Sequence, residues 1–374
     1  MSDDLPEPDR IEGAPHPRDT RQLFGQETAE RDFLTAYGTG RLHHGWLLTG
    51  PRGVGKATLA WRIASFLLSA PEGGGGLFGA PDLPANLDID PENPIARRIH
   101  AGSEPRLFVL RRGWDEERKR LKTVITVDEV RRMKSFFALS SADGGARVAI
   151  VDSADEMNPS AANALLKLLE EPPAGVTILL VSHQPSGLLP TIRSRCRELR
   201  LAPLPAQAIA AALEQAGIAV EDEGPALAAL SGGSVGEAIR LTNLDGLQDY
   251  AAIVSLFSTL PRLDRPAALS LAASLGARGS EPRFDLALTL FDLFLSRLAR
   301  SAVAGPPAPE GAPGEAALFQ RLASDARAAR GWADLHQTQG ARARHGKAVN
   351  LDPAALILDM VFKIDETAHR LSAR

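Results

Sequence analysis

Between residues 23 and 201, short apolar runs alternate with stretches whose apolar residues recur at helical spacing, the pattern of parallel strands covered by crossover helices. The strand candidates are 46–49, 107–110, 148–152, 177–182 and 198–201. Residues 70–104, between the first two, hold a glycine run at 73–76 and several prolines, so most of this insertion is expected to be irregular and mobile. Thr126 and Glu129 have the S/T-x-x-E spacing of a capping box, in which the hydroxyl accepts from a first-turn N–H and the carboxylate reaches back to the cap. A helix is predicted from Val127 to about Leu139.

Past Leu201 the strand-like runs stop, and Ala and Leu recur at helical spacing through 206–213, 226–230 and 237–241. A longer Leu- and Ala-rich helical region follows, interrupted by the Gly/Pro segment 305–314, which reads as a surface loop. The last helix has Asp352 as N-cap and Pro353 at its first position. Its stripe of Leu356, Ile357, Met360, Val361 and Ile364 needs a partner in the same domain or in a neighbouring subunit. Residues 1–20, polar and rich in Pro, Asp, Glu and Arg, have the composition of a flexible leader. The expected division is a leader at 1–20, an α/β domain at 21–201, a small helical domain at 202–244 and an all-helical domain at 245–374.

Composition narrows the chemistry. At 374 residues and 44% apolar content, a folded chain of two or three domains is expected. The start lacks the basic-then-apolar order of a signal peptide, and no run of about 18 apolar residues is present to span a bilayer, so a cytoplasmic protein without membrane contact is expected. The one cysteine, Cys196, can form neither an internal disulfide nor a multi-cysteine zinc cluster. A net charge of -4 argues against a protein that grips nucleic acid over its whole surface and leaves room for a local basic face.

The first strand candidate runs directly into Gly50-Pro51-Arg52-Gly53-Val54-Gly55-Lys56-Ala57-Thr58 and then a helical pattern. Such a glycine-rich turn aims backbone N–H groups and a helix N-terminus at phosphate, with Lys56 reaching the terminal phosphates. Where a Ser or Thr ordinarily places a hydroxyl on Mg²⁺ stands Ala57, and Thr58 lies about 100° further around the helix. ATP binding through the surviving amide cradle and a retained loop that binds nothing both stay open, and Mg²⁺ is in doubt. The third strand candidate ends in Asp152, placed to hold Mg²⁺ through water. Ser153 follows, where AAA+ ATPases carry the Glu that polarises water, and a hydroxyl cannot act as that base near neutral pH. Asp155 and Glu156 are read as caps of the following helix. Efficient ATP hydrolysis by this chain alone is not expected.

Two further blocks carry a family resemblance: Ala161 through Leu169 with Glu170-Glu171-Pro172-Pro173, and Leu189-Pro190-Thr191-Ile192-Arg193-Ser194-Arg195-Cys196. Together with Asp152-Ser153-Ala154-Asp155 they resemble the clamp-loader subunits of bacterial DNA polymerase III, a branch of the AAA+ ATPases. By motif the likeness covers about residues 23–241. It implies an AAA+ P-loop domain with a parallel sheet, a small helical lid and an all-α collar. The implied partners are gamma/tau and delta subunits in a hetero-pentamer, the sliding clamp and primed DNA.

Within the family, the departures at Ala57 and Ser153, and a stretch 233–238 without the lid arginine of active members, resemble a non-motor subunit more than the gamma/tau motor. Many relatives carry a four-cysteine zinc module between the Walker motifs; here the insertion replaces it, and zinc is not expected. The resemblance makes Arg195, flanked by Ser194 and Cys196, an arginine finger serving the ATP site of the adjacent subunit. The alternative is a solvated basic edge formed by Arg193, Arg195, Arg197 and Arg200. Ser182 and His183 fall in the sensor-1 region, where a buried polar cap is the other reading. Arg131, Arg132 and Lys134 are candidate contacts to DNA phosphates or else a solvated helix face. An active gamma/tau-type motor and a P-loop small-molecule kinase are the rival functions.

Overall fold

Among the residues that the computed structural model describes (6–40, 42–70, 84–138, 145–220, 222–277, 279 and 281–372), the strands in chain order are β1 (Gly45–Thr49), β2 (Leu107–Leu110), β3 (Trp114–Asp115), β4 (Arg120–Leu121), β5 (Arg147–Val151), β6 (Val176–Val181) and β7 (Arg197–Arg200). Five of them make a parallel sheet in the order β2-β5-β6-β1-β7, and β3 and β4 pair as a separate hairpin. All residues of β1 and β6 are buried, as befits strands with helices on both faces. β7 sits at an edge and exposes Arg197, Glu198 and Arg200, charges that discourage further strand addition.

The helices of this unit are α1 (Glu27–Gly38), α2 (Lys56–Ser69), α3 (Pro94–His100), α4 (Val127–Ala138), α5 (Pro159–Glu170), α6 (Pro190–Arg193) and α7 (Ala206–Gln215). One face of α4 and one of α5 share a core with β2, β5 and β6, in which Val130, Met133, Phe137, Leu165 and Leu168 meet Ile178 and Leu180. At the start of α4 the Thr126 N–H donates to Glu129 Oε2 at 2.8 Å. The Thr126 hydroxyl turns to that same carboxylate, so the Glu half of the expected box forms while the hydroxyl serves the Glu. Leu139 lies outside the described residues, as does the glycine run 73–76. Part of the insertion read as irregular is helix α3, capped by the Asn93 side chain, which accepts from the Ile95 N–H at 2.8 Å.

The N-terminal segment differs from a solvated tail. His16 is 2% exposed and meets the Trp61 ring edge-on at 5.5 Å between centroids. Asp9 and Glu7 accept from the Arg111 guanidinium at 2.6 and 3.0 Å. Composition alone could not reveal this, because the partners of these charged residues lie on α2 and just past β2.

The chain divides into two compact units, residues 1–218 with 233–236, and residues 219–232 with 237–374. The expected boundary at 201/202 therefore falls inside the first unit. The second unit is helical: α8 (Gly224–Ser231), α9 (Val235–Asn243), shared with the first, α10 (Gly246–Ser258), α11 (Arg265–Leu275), α12 (Glu281–Ala304), α13 (Glu315–Leu322), α14 (Ala326–Ala348) and α15 (Pro353–Ser372). The stripe on α15 finds its partner here: Leu356, Ile357, Met360, Val361 and Ile364 are all buried, and α15 packs on α11 and α14. Glu315, fully buried, accepts from the Tyr250 hydroxyl at 2.5 Å and from Arg297 at 2.8 Å, so its charge is paired rather than orphaned.

Candidate functional site

The P-loop spans the turn from β1 into α2, where the sheet order places β1 between β6 and β7. Crevices at such C-terminal strand ends are where open α/β sheets bind ligands. The turn requires glycine at two positions. Gly50, at φ 138°, runs so close to the next strand's exit that a Cβ would fall on the Leu201 carbonyl oxygen. Gly53, at φ 76°, lies against Ser234 and Gly236, and a Cβ there would fall on the Ser234 hydroxyl. The Gly236 N–H donates to the Gly53 carbonyl at 3.2 Å. Val54 is buried, and its carbonyl accepts from Gln26 Nε2 at 3.1 Å. Gln26 also accepts from the Ala202 N–H at 3.2 Å, tying the loop to the segment after β7. Sequence reading passed over this glutamine, because a lone amide before a helix carries no motif.

Gly55 precedes α2 in a left-handed conformation, and Lys56 opens the helix with Ala57 and Thr58 behind it. Lys56 is 3% exposed, and its ammonium donates to the Gly50 carbonyl at 2.7 Å and to the Pro51 carbonyl. Burial pulls this lysine down to about 8, against the opposing pull of Asp152 and Asp155. Asp152 follows β5, and its N–H donates to the Leu110 carbonyl at 2.9 Å. Burial, with the Asp9 and Glu156 carboxylates nearby, pushes the Asp152 carboxyl up to about 7.

The residues thus fit a phosphate better than they fit Mg²⁺. An amide cradle with a lysine at its rim suits an anion. Ala57, where a hydroxyl would ordinarily meet the cation, supplies no side-chain oxygen to a divalent cation that favours oxygen ligands. Among the described residues there is no group of three or more His, Cys, Asp or Glu that could hold a metal ion.

The acidic residues after β5 do work other than the expected helix capping. Asp155 accepts from the Ser182 hydroxyl at 2.7 Å, from the Gln184 N–H at 3.3 Å and from the His183 N–H. It thereby fastens the loop after β6. Glu156 pairs with Arg112 at 2.9 Å. The cap of α5 is Asn158, whose side chain accepts from the Ala161 N–H at 2.8 Å. Ser153 is buried. Ser182 is fully buried, a placement that both readings raised for it allow. His183 beside it is pulled down to about 4 by burial and the Lys56 charge.

Arg195 lies at the other end of the strands. The register pairs Trp46 with Arg197 and Thr49 with Arg200, so Arg195 stands before the start of β7, beside the start of β1. Its NH1 donates to the Thr191 carbonyl at 3.1 Å, and its NH2 pairs with Glu170 at 2.9 Å. Ser194 closes the turn by donating its hydroxyl to the Thr191 carbonyl at 3.2 Å. Burial pushes the Cys196 thiol up to about 12. Arg193, Arg197 and Arg200 are exposed nearby, and Arg197 lies over the Trp46 ring at 5.4 Å. Arg131, Arg132 and Lys134 are exposed on α4. Arg131 pairs with Asp128 at 2.8 Å and Arg132 with Glu129 at 3.5 Å.

Residues 25–205 match the family described as DNA polymerase III, delta subunit. The chain is 40% identical over 216 residues to the DNA polymerase III subunit delta' of Pseudomonas aeruginosa, covering 56% of this chain and 59% of that protein. It is 32% identical over 215 residues to the delta' subunit of Escherichia coli, covering 58% and 59%. It is also 26% identical over 298 residues to the gamma/tau subunit of Mycobacterium tuberculosis, covering 71% of this chain and 47% of that protein. The chain thus spans 59% of the length of these two delta' relatives. Among the described residues no helix is long and apolar enough to cross a membrane. The parallel sheet with its P-loop and flanking helices is an AAA+-like fold, and by these matches residues 25–205 are related to the DNA polymerase III delta-prime subunits of the clamp-loader family.

Proposed function

We propose that this chain is a delta-prime-like subunit of a cytoplasmic DNA polymerase III clamp loader, supporting ATP-dependent loading of the sliding clamp onto primed DNA. In this reading it joins gamma/tau and delta subunits in a hetero-pentamer, with residues 202–244 as lid and 245–374 as collar. Arg195 supplies an arginine finger to the ATP site of a neighbour.

The carrying observation is the placement of Arg195 at the N-terminal edge of the sheet. The P-loop leaves the C-terminal end of the five-residue β1, and at about 3.3 Å per residue the strand alone separates the two by about 16 Å. An arginine so placed serves a phosphate outside its own P-loop. That supports action in trans and counts against a kinase whose arginines close in cis. A guanidinium beside a transferring phosphoryl group neutralises charge that develops in the transition state.

The longer match to a gamma/tau subunit keeps the motor reading in view. Ala57 and Ser153 oppose it, because they leave the magnesium and water-activating positions poorly furnished. Arg131, Arg132 and Lys134 remain proposed contacts to DNA phosphates, for which two of them would exchange carboxylate partners on their own helix.

The test is Arg195→Ala in the assembled loader, read by DNA- and clamp-stimulated ATPase with gel filtration as control. Loss of a finger lowers turnover at the site it serves by about 10³ to 10⁵. Wild-type turnover in an intact Arg195→Ala complex would overturn the assignment.

A further inference from the structure

We infer that Glu170 is the positioning residue of Arg195. This inference rests on the reading of Arg195 as a finger used in trans. Glu170 is the last residue of α5, and its Oε1 lies 2.9 Å from Arg195 NH2. The other arm of the guanidinium donates to the Thr191 carbonyl at 3.1 Å. The two contacts restrain the fork at both of its arms and leave further N–H donors for an incoming phosphate.

The frame beneath the pair is tight. A Cβ at Gly45 would come within 3.0 Å of Leu169 Cδ2, 3.1 Å of the Arg195 carbonyl oxygen and 3.3 Å of Cys196 Sγ. The start of β1, the end of α5 and the backbone at 195–196 therefore pack as one body. His44 adds a contact of 3.0 Å from Nε2 to the Leu169 carbonyl. Cys196 serves as packing in this frame.

A carboxylate at this position is not there for the helix. The C-terminal end of a helix disfavours negative charge, and both Glu170 and Glu171 stand at that end of α5. The side chains of Arg195 and Glu170 are 37% and 41% exposed, so their pairing is weak. A weak pair restricts the guanidinium without competing strongly against a triphosphate. Stability and activity are therefore set against each other at position 170.

The experiment uses the assembled loader carrying Glu170→Ala, Glu170→Gln, Arg195→Ala or the two double variants, with ATPase kinetics and the thermal midpoint of each complex. Loss of the carboxylate is expected to lower kcat about two- to fivefold with KM for ATP unchanged. Glu170→Gln, which keeps an acceptor oxygen, should fall between wild type and Glu170→Ala. The thermal midpoint of either single variant should hold or rise, whereas a merely structural role would lower it together with kcat. In the Arg195→Ala background, changing Glu170 should cost nothing more. Wild-type kcat in Glu170→Ala, or an equal loss with and without Arg195, overturns the inference. If Arg195→Ala itself retains full turnover, it is the finger reading that has failed.

Discussion

The Ser182 hydroxyl donates to the Asp155 carboxylate at 2.7 Å, joining the segment after β5 to the segment after β6. This bond closes the C-terminal end of the sheet next to Lys56, whose charge both Asp155 and His183 feel. Ser182 is fully buried, so removal of its acceptor leaves a hydroxyl without water to turn to.

Asp155→Ala is accordingly expected to destabilise the isolated chain by about 2 to 3 kcal/mol, since three donors lose a charged acceptor at once. Ser182→Ala, which removes donor and need together on that side, should cost about 1 kcal/mol. Urea unfolding checks both. An Asp155→Ala chain as stable as wild type would show that water replaces the carboxylate.

Lys56 predicts a pH dependence. Its folded value near 8 lies below its ordinary 10.5, so between these values the unfolded chain binds more protons than the folded one. Stability contributed through this group therefore rises with pH over about 8 to 10.5, by at most about 3 kcal/mol. The rise should disappear in Lys56→Met, which has no proton to lose. Asp152, raised from 3.8 to about 7, titrates below this window. Denaturant midpoints at pH 8 and pH 10 for the two chains decide it, and parallel curves would place the Lys56 ammonium in contact with water.

Much of this arrangement was legible in the sequence where one local pattern sufficed. The runs that became β1, β5 and β6 stand out because both faces are buried, and the P-loop stands out because its glycines serve backbone geometry. The ends were less legible: Asp152, Ser182 and Leu201 each lie one residue past their strands, and it is as exits that they act. α3 and the β3–β4 hairpin are too short to show a period, although Asn93-Pro94 is a helix-start signal. Asp155 resembled a helix cap until Asn158 was seen to hold that place. The contacts of the N-terminal segment are not legible locally, because Asp9 finds its cation 102 residues away, and no window over the leader contains Arg111.

Thiol chemistry gives an independent reading of the Arg195 turn. Burial holds the Cys196 thiol near 12, so at pH 8 only about one molecule in 10⁴ carries the reactive thiolate. Native chain should react with Ellman's reagent far more slowly than unfolded chain, and Gly45→Ala, which crowds the sulfur, should speed the reaction by loosening the frame. Native reactivity equal to that of a free thiol would place Cys196 at the surface.

The last expectation concerns ATP in the isolated chain. Turnover should be negligible, because Ser153 offers no base and Ala57 offers no hydroxyl to Mg²⁺. Binding is a separate matter. The amide cradle persists, and a triphosphate would draw the Lys56 ammonium away from the Gly50 and Pro51 carbonyls, replacing two neutral acceptors by a charged one. Weak binding of a fluorescent ATP analogue that is insensitive to added Mg²⁺ is therefore expected, and Lys56→Ala should weaken it. Turnover comparable with that of a gamma/tau motor, abolished by Lys56→Ala, would instead mean that Asp155 or Glu156 gives up its present partner to activate water. It would also reinstate the motor reading.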